Sequence, residues 1–185
     1  MLLTLLLLVP LLAGLLCLAA PSRAWWERLN LAAFAVVAGL AFRVAGAVAE
    51  QGHVSELGGF LRADALSALV IGLIGFVALV CAIYAVGYFR HDARAGKITD
   101  AQLRHYYVLT PLFVAAMLLV PLADNLGVMW AAVEATALSS VLLVALYNRR
   151  TSLEAAWKYV MLGSLGLALA LFGTVFVYAA ACKND

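Results

Sequence analysis

The sequence predicts an all-α, polytopic membrane protein of about six transmembrane helices. Hydrophobic residues fill 66% of its 185 positions and charged residues only 12%, against roughly half and a quarter in a soluble domain. Mean hydropathy is +1.04. The apolar residues also gather into six runs, at 2–20, 30–49, 65–88, 106–123, 125–147 and 153–181, each near the roughly 20 residues that a helix needs to cross a bilayer. Together they form a single membrane domain over 1–185.

The first run opens Met1-Leu2-Leu3 with no basic residue and is longer than the apolar core of a secretory leader, so it is expected to remain as a helix. Next, PSRAWWERLN sets Trp25 and Trp26 beside Arg23 and Arg28, the composition of an interfacial belt. EQGHVSELGGFLRAD, at 50–64, is acidic and bears glycines, and is expected as an exposed turn before the third helix. RHDARAGKITDAQLRHYY, at 90–107, is the longest polar stretch, a solvated loop or a dock for a cytoplasmic partner. The fourth run carries Pro111 and ends near Pro121; an internal proline removes a backbone hydrogen bond and is expected to kink the helix. Only Leu122, Ala123 and Asp124 separate Pro121 from the fifth run, which predicts a tight hairpin.

Basic residues near helix ends favour the cytoplasmic side. Arg23, Arg28, Arg90, Arg94, Lys97, Arg104, Arg149 and Arg150 fall on one side, and Arg62 and Lys183 on the other. Both termini are therefore expected outside. Arg43 and Lys158 lie within runs, and Arg43 is expected to snorkel to the outer interface. The net charge of +2 is spread between apolar runs, which argues against nucleic acid as a partner. The lipid bilayer is the expected medium. Cys17, Cys81 and Cys182 are far apart, and His53, His91 and His105 lie in connections. This spacing predicts no metal site, no cofactor and no redox centre in the chain, and no catalytic residue is assigned.

The candidate site is Glu134, near the middle of the fifth run. A carboxylate at the bilayer centre costs about 2.5–3.5 kcal/mol on insertion scales and is kept where it faces protein or water. At about 100° per residue, Gly127, Trp130, Ala131, Leu138, Val141 and Ala145 share its face, with Thr136, Ser139, Ser140 and Leu143 opposite. Those hydroxyls are expected to bond their own helix carbonyls or to join a neighbouring helix, and not to extend a chain from Glu134. Glu134 is read as a proton carrier; the alternative is a protonated acid that hydrogen-bonds a neighbouring helix. In SLEAAWKYV, Glu154 and Lys158 stand four apart with the acid first, the order that favours an ion pair on one helix face. Helical rise sets Lys158 about 12 Å from the level of Glu134, too far for a direct pair, and places Leu165 and Gly166 level with it. Lys158 either snorkels or takes part in proton movement. Ala155, Gly163, Gly166, Ala170 and Gly173 share one side of the sixth run, a small-residue ridge of the kind that packs membrane helices.

The stretches LRADALSALVIGLIGFVALVCAIYAVGYFRH (61–91) and LADNLGVMWAAVEATALSSVLLVALYNRRTSLEAAWKYVMLGSLGLALALFGTVFVY (122–178) resemble the antiporter-like membrane subunits of respiratory complex I and Mrp antiporters, and in particular component F of hydrogenase-4. MWAAVEAT followed by SLEAAWKYV is the specific part of the likeness. The resemblance implies a fold of about fourteen helices in two inverted repeats, of which this chain would be the N-terminal part, truncated after helix six. It also implies proton translocation coupled to electron transfer, with Glu134 as the protonatable acid and Lys158 as the lysine of the sixth-helix motif. Implied partners are other membrane subunits and a peripheral redox arm, in the inner membrane of a bacterium or archaeon. The chain would then be a non-catalytic subunit of an oxidoreductase complex. An Mrp-type cation/proton antiporter module and a non-translocating structural fragment are the alternatives.

Overall fold

The structure, a computed structural model, describes residues 1–147 and 149–181. Cys182 and Lys183 lie outside the described residues. Six helices run α1 Leu2–Ala19, α2 Arg23–Gln51, α3 Ala65–Arg94, α4 Asp100–Leu122, α5 Leu126–Val144 and α6 Arg150–Ala181, with short strands β1 Val54–Glu56 and β2 Leu61–Ala63 between α2 and α3. All six helices are long and apolar enough to cross a membrane.

Helix starts are fixed where side chains accept the first free N–H groups. Asp64 accepts from the Ser67 N–H at 2.8 Å. Thr99 and Gln102 form a reciprocal capping box at the start of α4, and Asn125 accepts from the N–H groups of Gly127 and Val128 at the start of α5. The polar stretch 90–107 is consequently mostly helix, because α3 runs on to Arg94 and α4 already begins at Asp100. Likewise α2 starts at Arg23, so the two tryptophans sit in a helix and not in a connection. Trp26 is buried and donates its indole N–H to the Ala20 carbonyl at 2.9 Å, whereas Trp25 is exposed.

The segment expected as an exposed turn is an antiparallel hairpin that pairs Val54 with Ala63 and Glu56 with Leu61. Its turn uses Gly58 and Gly59 at φ 67° and 94°, conformations that glycine adopts at little cost. Leu61 and Ala63 are buried in the same cluster as α1–α4, and the Asp124 N–H donates to the Phe60 carbonyl at 3.3 Å. Glu56 reaches from this hairpin to the start of α1, accepting from the Leu3 N–H at 3.1 Å, the Thr4 N–H at 3.0 Å and the Thr4 hydroxyl at 2.8 Å. It also pairs with the Met1 amino group. The hairpin thus supplies the acceptor that α1 lacks in its own sequence.

Helices α1 to α4 form the packed core, where Leu3, Leu6, Phe34, Val37, Ile71 and Leu118 meet. Between lipid-embedded helices the attraction comes from close contact more than from water exclusion, so small residues decide it. A Cβ at Gly14 would stand 3.1 Å from the Val108 carbonyl oxygen, and one at Gly75 would stand 3.3 Å from the Ala38 Cα. These are the close crossings of α1 with α4 and of α2 with α3. By contrast, a Cβ at Gly163, Gly166 or Gly173 would have no atom within 4 Å among the described residues. Helix α5 lies against α4 and α6 against α5, and their only buried residues are Ala132 and Ala156. Arg43 is exposed on α2.

Gly75→Val should destabilise the detergent-solubilised chain by about 1–3 kcal/mol, and Gly166→Val should leave it unchanged; thermal unfolding followed by circular dichroism measures both. The hairpin makes a pH prediction. Burial alone would raise the Glu56 pKa, but its hydrogen bonds with the Met1 amine, Thr4 and Leu3 bring it from an ordinary 4.5 down to about 2. A depressed folded-state pKa stabilises the fold above the unfolded value and stops doing so as pH falls through the folded one. Stability should therefore decline between about pH 4.5 and 2, and the part of the decline due to Glu56 should vanish in Glu56→Gln, which should also cost about 2 kcal/mol at pH 7.

Candidate functional site

The Asn125 cap fixes where α5 begins, and nine residues of helical rise then place Glu134 about 13 Å into the helix. Its side chain is half-buried. It lies on the wall of a cavity of about 610 Å³ bounded by Leu66, Ser67 and Val70 of α3, Met117 and Pro121 of α4, the inner side of α5, and Tyr159, Gly163 and Ser164 of α6. Among the described residues Glu134 makes no hydrogen bond or ion pair, and it is the only carboxylate on that wall. The remaining lining is apolar apart from the hydroxyls of Ser67, Thr136, Tyr159 and Ser164.

Leu138 and Val141 line the cavity with Glu134 as their shared face predicts, but Thr136 does so too. The cavity wraps from the α4 side of α5 round to the α6 side, which is wider than one helical stripe. The hydroxyls behave as expected. Thr136 donates to the Ala132 carbonyl and Ser140 to the Ala137 carbonyl, both at 2.8 Å, and Ser140 also contacts the Tyr159 hydroxyl of α6 at 3.4 Å; none of these reaches Glu134.

Lys158 is not on the cavity wall; its ammonium donates to Glu154 at 2.6 Å, and both side chains are exposed. The structure does not bring Lys158 to Glu134. On α6 the cavity is bordered from Tyr159 to Leu167, with Gly163 and Ser164 between them. This interval includes the expected level of Leu165 and Gly166, although neither of those two residues lines the cavity.

Other polar groups, not singled out from the sequence, cluster at the arginine-rich end. Glu27 is buried and receives a forked pair from Arg90, Nη2 to Oε2 at 2.6 Å and Nε to Oε1 at 3.2 Å. Such a pair locks two helices together, and loss of one partner strands a buried charge. Asn30 donates to the Tyr107 carbonyl at 3.0 Å and contacts the Cys17 sulfur at 3.3 Å, joining α2 to α4 and α1. The Asn30 Oδ1 and the Tyr107 hydroxyl are buried with no partner among the described residues. These partners are 13 to 77 residues apart, so no local spacing announces them; the only sequence signal is a polar residue at the edge of each apolar run.

Two family profiles match the chain. One, for the N-terminus of chain 5 of NADH-ubiquinone oxidoreductase (complex I), covers residues 59–97. The other, for the transmembrane region of NADH:quinone oxidoreductase and the Mrp antiporter, covers 123–185 and contains both Glu134 and Lys158. The chain belongs to the antiporter-like membrane subunits of the complex I, Mrp and hydrogenase family. This antiporter-like chain is 37% identical over 124 residues to a hydrogenase-4 component F homologue from Methylacidiphilum infernorum, covering 67% of the chain and 26% of that relative. It is 34% identical over 110 residues to NADH-quinone oxidoreductase subunit N from Francisella tularensis, covering 59% of the chain and 22% of that subunit. The chain therefore spans about a quarter of these curated relatives. Among solved structures, a chain of the membrane-bound sulfane sulfur reductase, an archaeal respiratory membrane complex, superimposes with a TM-score of 0.73 over 97% of this chain and 36% of that one, at 19% identity. That likeness extends the agreement to the fold of all six helices.

An apolar carbodiimide, which reacts with protonated carboxyl groups from within the bilayer, should modify Glu134 through the open cavity and spare the paired Glu27. Peptide mass mapping checks this, and labelling should disappear in Glu134→Gln.

Proposed function

We propose that this chain moves protons through the Glu134 cavity as one membrane subunit of a redox-driven complex of the hydrogenase-4 or NADH:quinone oxidoreductase type. The observation that carries the reading is a carboxylate that is unpaired, and the only one on its wall, among the described residues, facing about 610 Å³ of space in the middle of a membrane helix. A cavity of that size has room for several waters. The carboxylate takes a proton from water on one side, becomes neutral, and returns it to water on the other. The Glu154–Lys158 pair lies nearer the arginine-rich end, where it sets the local potential and does not itself carry the proton.

This chain contributes no redox centre in the proposal. Electron transfer is assigned to a peripheral arm and other subunits; the relatives are named as one component of a hydrogenase and one subunit of a quinone oxidoreductase, which supports a multisubunit setting. In this reading the arginine-rich loops face the cytoplasm and the assembly sits in the inner (cytoplasmic) membrane of a bacterium or archaeon. The description of the second profile also covers Mrp antiporters. Exchange of that kind would require sodium and no electron donor, whereas the redox-driven reading expects transport to stop when the electron donor is withdrawn.

In the complete complex reconstituted into vesicles, Glu134→Gln should lower proton translocation to about a hundredth or less. Electron transfer in the presence of an uncoupler should continue, and subunit composition should be unchanged. Lys158→Gln should have a smaller effect. Undiminished pumping by Glu134→Gln would falsify the proposal.

A further inference from the structure

A second cleft, of about 580 Å³, opens at the arginine-rich end between the last turns of α3, the turn that follows it, Tyr147 just beyond α5, and the start of α6. Lys97, Arg149 and His91 line it together with the hydroxyls of Thr151 and Ser152. The Arg149 carbonyl accepts from the Leu153 N–H at 2.9 Å, which makes Arg149 the cap of a 32-residue helix. The N–H groups of Arg150, Thr151 and Ser152 therefore have no acceptor within the helix and favour an anion.

One acid, Asp92, shares the cleft. It is buried, accepts from the Tyr147 hydroxyl at 2.7 Å, and faces Lys97 at 3.8 Å and His91 at 3.7 Å. Arg149 makes no ion pair among the described residues. With His91 neutral, Lys97 and Arg149 outweigh Asp92, and the cleft keeps a net positive charge.

The cleft continues into the membrane. Tyr88 and His91 also border a groove with Ile83, Tyr84 and Gly87. Tyr84 and Tyr88 in turn border a further apolar hollow that reaches Val80 and Cys81. From Tyr88 to Val80 the trough runs about 12 Å along α3. At Gly87 no atom lies within 4 Å of where a Cβ would stand, so its floor is bare.

Cations and free N–H groups at one end, joined to an apolar trough at bilayer depth, match one ligand chemistry. We propose that this is a site for an anionic glycerophospholipid. Its phosphate group is held by Lys97, Arg149 and the start of α6, and an acyl chain lies along α3 over Gly87. A free phosphate would use the first part and leave the trough idle. The site does not involve Glu134 and stands apart from the proton reading.

The test is competitive retention of phosphatidylglycerol against phosphatidylcholine by the full chain purified in mild detergent, read by native mass spectrometry. At about 1 kcal/mol per cation near a membrane surface, two cations correspond to about a thirtyfold preference for phosphatidylglycerol. Lys97→Gln/Arg149→Gln should abolish the preference, and Lys97→Arg/Arg149→Lys should keep it. Gly87→Leu fills the trough without touching a cation and should release the lipid as well. Equal retention of the two lipids by the unmodified chain would overturn the proposal. So would displacement of phosphatidylglycerol by millimolar inorganic phosphate together with an unaffected Gly87→Leu variant, which would mark a phosphate site and not a lipid site.

Discussion

A charge placed inside a bilayer must find a counter-charge, hydrogen-bond donors or water, because the hydrocarbon offers none. The four acids that are not exposed among the described residues, Glu27, Glu56, Asp92 and Glu134, divide on that demand. Glu27 is clamped by Arg90, Asp92 is held by Tyr147 near Lys97, and Glu56 closes the start of α1. Each of the three ties together elements distant in sequence, so satisfying the charge also fixes the fold. Glu134 has no such partner among the described residues and faces open volume instead. The same demand that makes the other acids structural makes this one chemically available.

The distribution of packing follows the same division. Helices α1 to α4 cross closely at Gly14 and Gly75 and are plugged at one end by the hairpin through Leu61 and Ala63. Helices α5 and α6, which carry Glu134 and wall its cavity, each bury a single residue. A rigid four-helix block therefore supports a lightly held pair. Gly166 and Gly173 of α6 are exposed with no atom near them, a surface smooth enough for lipid or another protein helix to approach closely.

Much of this was legible in the sequence, and the parts that were not share a cause. Six runs at membrane length give six helices, and the hydroxyls of Thr136 and Ser140 turn back on α5 as side chains so close to their own carbonyls should. The helix ends were displaced wherever polar residues extend a helix beyond the apolar run. The stretch 23–29 carries Trp26 and Glu27 inside α2, and 90–94 prolongs α3 with Arg90 and Asp92. Hydropathy reads these as connections because it scores solvation and ignores pairing. The Glu27–Arg90 clamp and the reach of Glu56 to Thr4 depend on contacts 63 and 52 residues apart, which no local pattern encodes. Glu134 was legible for the opposite reason, since a lone acid amid apolar residues needs no partner to be conspicuous. Its cavity was not, because it is made by four helices and extends beyond the face that Glu134 shares on α5.

The central claim is that the Glu134 carboxyl group meets water inside the membrane. The most direct measurement is an electron cryomicroscopy map of the native assembly at a resolution that shows ordered solvent around α5. The account predicts waters hydrogen-bonded to Glu134 in the cavity that α3, α4, α5 and α6 line. A Glu134 side chain packed dry among apolar groups, or exposed to acyl chains with no water beside it, would contradict it.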